Sequence, residues 1–123
     1  MHTSREALTP EMIGDFYEGR LVDWGDYSAY FERIKGGTDF SPYFVGLPND
    51  SCQSPHWGYV FKGAIRFIYD DHDELISAGE AYYAPPGHRV ECVEDAETVE
   101  FAPSAAFQAT MEVFGKNLEA LSR

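Results

Sequence analysis

Between residues 57 and 102 turn-forming residues cut the chain into short runs at close intervals, and this punctuation limits the fold more than any other feature. Residues 57–61, 64–69, 74–77, 81–84, 88–93 and 98–102 read as short strands. Lys62-Gly63, the polar Asp70-Asp71-His72-Asp73, Gly79 and the stiff Pro85-Pro86-Gly87 supply the turns between them. Many short strands with regular turns pack as a sandwich or a barrel.

The flanks differ. Thr9-Pro10-Glu11 is a helix-entry signal: a hydroxyl cap, proline at the first helical position, then an acid. Met12, Ile13, Phe16 and Tyr17 would share one helical face, and Gly19 would end this short N-terminal helix. Residues 21–24 and 27–34 read as strands around a Gly25-Asp26 turn. Residues 40–45 read as a third, with Pro42 marking an edge or a bulge. Residues 47–55 carry loop chemistry. After Pro103-Ser104, Phe107, Met111, Phe114, Leu118 and Leu121 recur at helical spacing, which predicts a C-terminal helix with one apolar face to dock. No repeat or linker divides the 123 residues, so one compact domain is expected. Residues 1–39 would hold the N-terminal helix and leading strands, 40–102 the core, and 103–123 the C-terminal helix.

Hydrophobic residues make up 44% of the chain, enough for a core without disulfides. The formal net charge is −12 and the nine basic residues are scattered, so nucleic acid is excluded as a partner. No basic amphipathic helix suggests a membrane surface, and no apolar run approaches spanning length. The opening MHTSREALTPEMIG lacks the pattern of a signal peptide. A cytoplasmic protein is expected, with Cys52 and Cys92 reduced.

Few patterns carry chemistry. There is no G-x-S-x-G elbow, phosphate loop or G-x-G-x-x-G turn. The acidic run 70–74 lacks the glycine and terminal glutamate of a calcium loop, so it and the run 91–97 read as solvated surface. His2 and His72 belong to the frayed start and that solvated turn. Cys52 and His56 are more pointed, a thiol and an imidazole where a loop enters an aromatic strand. They are either metal ligands or a loop filler and a strand cap.

Residues 40–102 resemble a cupin domain, a jelly-roll barrel. His56-Trp57-Gly58-Tyr59-Val60-Phe61-Lys62-Gly63 is similar to the end of the first cupin motif. Gly79-Glu80-Ala81-Tyr82-Tyr83-Ala84-Pro85-Pro86-Gly87-His88 carries the second motif's glycine, five residues, proline, any residue, glycine. The resemblance implies a mainly β protein: a cupin-type jelly-roll β-barrel with a short N-terminal helix and a C-terminal helix. The ligand pattern departs from the family's. His56 stands where metal-binding cupins place a glutamate, Cys52 near a histidine, and Val90 at the histidine of the second motif. Side chains alternate along a strand, so His88 still shares a face with position 90 and with Cys92.

Cys52, His56 and His88 are therefore the candidate ligands for one divalent transition metal, zinc or iron, with Asp50 as a conceivable fourth. The alternative makes all three structural. Cys92 reads as a buried small hydrophobe. Of Tyr82 and Tyr83, one should face the barrel and help to bind a small-molecule ligand. Glu100, between Val99 and Phe101, should point away from the apolar face. Trp57, Tyr59 and Phe61 should point outward, and the resemblance implies a homodimer that covers them. Two functions follow: a small-molecule-binding protein with a metal at the barrel mouth, or a metal-dependent oxygenase, isomerase or hydrolase. Catalysis itself is left open.

Overall fold

The computed structural model describes residues 1–122. Seven strands form one antiparallel sheet: β1 (Glu11–Ile13), β2 (Tyr17–Asp23), β3 (Tyr27–Ile34), β4 (His56–Ile68), β5 (Asp73–Ser77), β6 (Ala81–Ala84) and β7 (Arg89–Pro103). The order is β1-β2-β3-β7-β4-β5, with β6 paired to β4 beside β5. The sheet is not closed, since β1 and β5 are its two ends. One helix, α1 (Ser104–Leu121), follows the last strand.

The expected N-terminal helix is not formed. Residues 11–13 are β1, which pairs with Tyr17–Gly19 of β2, and the only helical geometry nearby is a single tight turn at Arg5–Ala7. An isolated helix of so few residues is marginal, whereas a hairpin extends an existing sheet. Gly14, at φ +54°, turns the chain between the two strands. Gly19 ends nothing: it lies inside β2, opposite Glu11 on one side and Glu32 on the other.

The expected strand at 40–45 is also different. Ser41–Phe44 is a tight helical turn with Pro42 in its first turn, where the ring's fixed φ suits the geometry. Phe40 and Phe44 are buried and pack on Phe114 of α1. Asn117 fastens α1 to this turn by donating to the carbonyls of Tyr43 and Val45. Within α1, Thr110 and Phe114 are buried and Phe107 stacks on Tyr30 with ring centroids 4.6 Å apart, while Leu121 stays exposed.

Runs that read as separate strands are continuous. Residues 56–68 are one strand because the Lys62-Gly63 break is absorbed as a bulge against β7. Only glycine fits there: Gly63 has φ +77°, and a Cβ would lie 2.1 Å from the Asp95 carbonyl oxygen. The bulge also shifts the alternation. Before it His56 and Val60 face inward, and after it Ile65 and Phe67 do. Residues 89–103 are likewise one strand, bonded to β3 and β4 on its two sides. Trp57, Tyr59, Phe61 and Tyr83 line the outer face with Phe101, each at least about one-third exposed. The inner face and α1 enclose the core.

Candidate metal and ligand site

Backbone pairing brings the three candidate ligands together. The Cys52 amide donates to the His88 carbonyl at 2.8 Å, and the Gly87 amide donates to the Cys52 carbonyl at 2.8 Å. This bridge staples the loop before β4 to the Pro-Pro-Gly corner before β7. His56 opens β4 in register with Ala84, the last residue before that corner. One ligand atom from each of Cys52, His56 and His88 lies within 4.8 Å of the others, and all three residues are buried.

The hydrogen bonds fix which atoms are available. His88 Nδ1 lies 2.8 Å from the Pro85 carbonyl oxygen, which can only accept, so Nδ1 carries the proton. Nε2 of His88 is then a bare lone pair, buried and without a hydrogen-bond partner. His56 Nε2 lies 3.5 Å from Cys52 Sγ. Its other nitrogen, Nδ1, is 2.9 Å from the Tyr30 hydroxyl, which donates in turn to Glu100 Oε2 at 3.3 Å. The consistent chain is His56 Nδ1–H to Tyr30 to Glu100, which leaves His56 Nε2 as a second lone pair beside the thiol. An imidazole oriented through its far nitrogen in this way is the usual support of a metal-ligating histidine.

Burial sets the charge states. Desolvation, with His88 adding to it, lowers His56 from its ordinary value to about 3. Desolvation lowers His88 as well, and pushes the Cys52 thiol up to about 11. Both imidazoles are neutral at physiological pH, the state in which they can ligate. Glu100 is held well above the usual carboxylate range by burial and by the neighbouring Glu32.

Glu100 lies on the buried face, opposite to the expected one. Alternation along 98–102 is real, but Val99 and Phe101 are the outward pair, and Thr98, Glu100 and Ala102 are buried. Glu100 meets Tyr30 and His56, and Glu32 accepts from Tyr17 at 2.6 Å and from Thr98 at 3.3 Å. The one available signal was register: a run continuing from an inward His88 and Cys92 keeps even positions inside. Asp50 does not join the cluster. It is exposed, adopts φ +50°, and its carboxylate accepts from the Gly46 amide.

A cavity of about 80 Å³ adjoins the cluster, walled by apolar side chains of the inner face and α1 and reaching Cys52 and His56. Tyr82 faces inward but packs on Phe67, with ring centroids 5.1 Å apart, and does not line this cavity. Tyr83 lies on the outer face, stacked on Trp57. Cys92 is a buried free thiol, and His72 is exposed and bonded to Asp71.

The sequence matches no family model and no curated protein. Solved structures share its architecture. An RmlC-like cupin from Shewanella frigidimarina is 15% identical with a TM-score of 0.61, the match covering 82% of this chain and 87% of the other. KdgF from Halomonas sp. is 19% identical with a TM-score of 0.59, over 81% and 90% of the two chains. Bacillus subtilis oxalate decarboxylase, described with Mn(II) centres, is 17% identical with a TM-score of 0.62, over 82% of this chain but 28% of its own. The chain has the cupin fold.

Proposed function

We propose that the protein binds a small molecule in the interior cavity, beside one divalent transition metal held by Cys52, His56 and His88. The observation that carries this reading is the lone pair of His88 Nε2, buried without a partner beside the Cys52 thiol and His56 Nε2. A buried acceptor left unsatisfied costs about 1–3 kcal/mol, and a cation would remove that cost at His88 Nε2. The 3.5 Å from Cys52 Sγ to His56 Nε2 also fits. A sulfur and a nitrogen on one tetrahedral zinc, at bonds of about 2.3 and 2.0 Å, sit about 3.5 Å apart.

Thiolate with two imidazoles suits zinc or iron better than manganese, which prefers oxygen ligands. In this respect the site differs from the Mn(II) centres described for oxalate decarboxylase. Three protein ligands leave a position open to the cavity, where a bound metal would supply Lewis acidity. That position supports a second reading, a metal-dependent enzyme whose Tyr30 and Glu100 lie next to the reacting group. The exposed outer stripe of Trp57, Tyr59, Phe61, Tyr83 and Phe101 supports a homodimer that covers it, testable by sedimentation at several concentrations. Among the described residues no helix is long and apolar enough to cross a membrane. The two free thiols suit a cytoplasmic setting.

Elemental analysis of untagged protein tests the central claim. Near one equivalent of zinc or iron per chain is expected. A chain that carries no metal, and takes up neither ion at neutral pH, overturns it.

A further inference from the structure

The charge of the ligand can be read from the surroundings of the cavity. Its walls are apolar: Ile34, Ile65 and Phe67 on the inner face, Phe40 ahead of the Ser41–Phe44 turn, and Phe114 on α1. Its polar groups are Tyr17, Tyr30, Glu32, His56 and Glu100, with Cys52 and Thr110. Among the described residues no arginine or lysine lines it. A carboxylate or phosphate brought inside would lose its water and meet two carboxyl groups. Neither protonation state of those groups gives an anion a counter-charge.

The approach is no more welcoming to anions. A surface cleft between β1, β2 and α1 shares Ile13, Tyr17, Tyr30, Phe107 and Met111 with the interior cavity, so these five side chains separate the cleft from the cavity. The cleft's acids are Glu11 and Glu112, both exposed. Its one basic residue, Arg20, is already engaged by Glu18 at 2.8 Å and by the carbonyls of Arg5 and Leu8. The chain's overall −12 charge acts in the same direction.

A cation is disfavoured for a different reason. Three of the four carboxyl oxygens that would receive it already accept within the protein: both of Glu32, from Tyr17 and Thr98, and Oε2 of Glu100, from Tyr30. The apolar walls offer nothing else to a charge. Size is limited as well, because 80 Å³ has room for about six water-sized positions.

We propose that in the metal-free protein the cavity selects small uncharged, mainly apolar molecules carrying a single polar head group, admitted between β1 and α1, and that it rejects carboxylates and phosphates. This rests on the reading of the cavity as a ligand site. It is stated for the metal-free protein, because a divalent cation open to the cavity would itself give an anion a counter-charge.

Three probes of one shape separate the charges: isobutyramide, isobutyrate and isobutyramidinium have the same branched skeleton and planar head. Each is titrated into the metal-free full chain while the Met111 and Thr110 methyl resonances are followed. The amide is expected to shift them, with the two ions binding at least about tenfold more weakly. In Glu32→Gln protein the discrimination against isobutyrate should shrink. Isobutyrate or isobutyramidinium binding as well as the amide overturns the proposal while leaving the cavity a ligand site. No shift with any probe overturns the proposal and the ligand-site reading together. Zinc uptake, measured separately, tests the metal reading independently of both.

Discussion

Cys52 and Cys92 look alike by every local measure. Both are free, both are 2% exposed, and burial pushes both thiols up to about 11. Their neighbours differ. Cys92 Sγ points at backbone, 3.0 Å from the Glu94 carbonyl and near those of Ile34 and Ala64. Cys52 Sγ points at His56 Nε2, with the Ser54 carbonyl and Thr110 hydroxyl farther off. A backbone carbonyl satisfies a thiol and ends the matter, whereas an imidazole lone pair beside it makes half a coordination sphere. Burial alone therefore does not make a site. Convergence of lone pairs does, and here it depends on the staple between residues 52 and 88.

The contrast is broken most directly by removing each thiol. Cys52→Ala should lower zinc affinity by at least about 100-fold, while Cys92→Ala leaves it unchanged. Competition with a chromogenic chelator reads both, and equal affinity in the two variants would abolish the distinction. The metal-free Cys52 thiol is protonated at neutral pH, so binding must release its proton. Zinc affinity should then rise about tenfold per pH unit between about pH 7 and 9. Cys92→Ala keeps this slope and Cys52→Ala flattens it.

Smaller effects sharpen the picture. Tyr30→Phe removes the hydroxyl that orients His56 and should weaken metal binding by about tenfold, with thermal stability falling less than in a core truncation. In metal-free protein the sign of acid destabilisation follows from His56. Its folded value of about 3 lies below the ordinary 6.5, so the unfolded chain takes the proton first. Stability should be lost as pH falls from 6.5 towards 3, by on the order of 1 kcal/mol per pH unit. Urea titrations at several pH values would show a shallower slope in His56→Gln. Cys92→Ala should cost only about 1–2 kcal/mol of stability, from the small void it leaves among Ile34, Ala64 and Glu94.

Several parts of this protein were legible before its structure. The turn at Pro85-Pro86-Gly87 and the outward stripe Trp57, Tyr59, Phe61 depend on φ preferences and on the two-residue period of a strand. The helix from Ser104 depends on spacing within one segment. Cys52, His56 and His88 could be grouped because two short motifs and strand parity place them. Glu100 was missed for an instructive reason. Its neighbours Val99 and Phe101 are the more hydrophobic residues, yet they lie on the outer face, because register with the inward end of β7 outranks local hydrophobicity. The N-terminal segment was missed because nothing in residues 11–19 states that β3 lies ready to pair with its second half.

The sequence by itself determined the break at Lys62-Gly63, the turn at Pro85-Pro86-Gly87, the outward stripe of Trp57, Tyr59 and Phe61, and the helix from Ser104, because these depend on sterics and periodicity within a few neighbours. Tertiary structure alone decided whether Asp50 joins the cluster, whether residues 11–13 coil or pair, and which buried thiol meets an imidazole. Those outcomes depend on distances between segments far apart in the chain. In the folded sheet those distances are set by hydrogen bonds such as the one from the Cys52 amide to the His88 carbonyl.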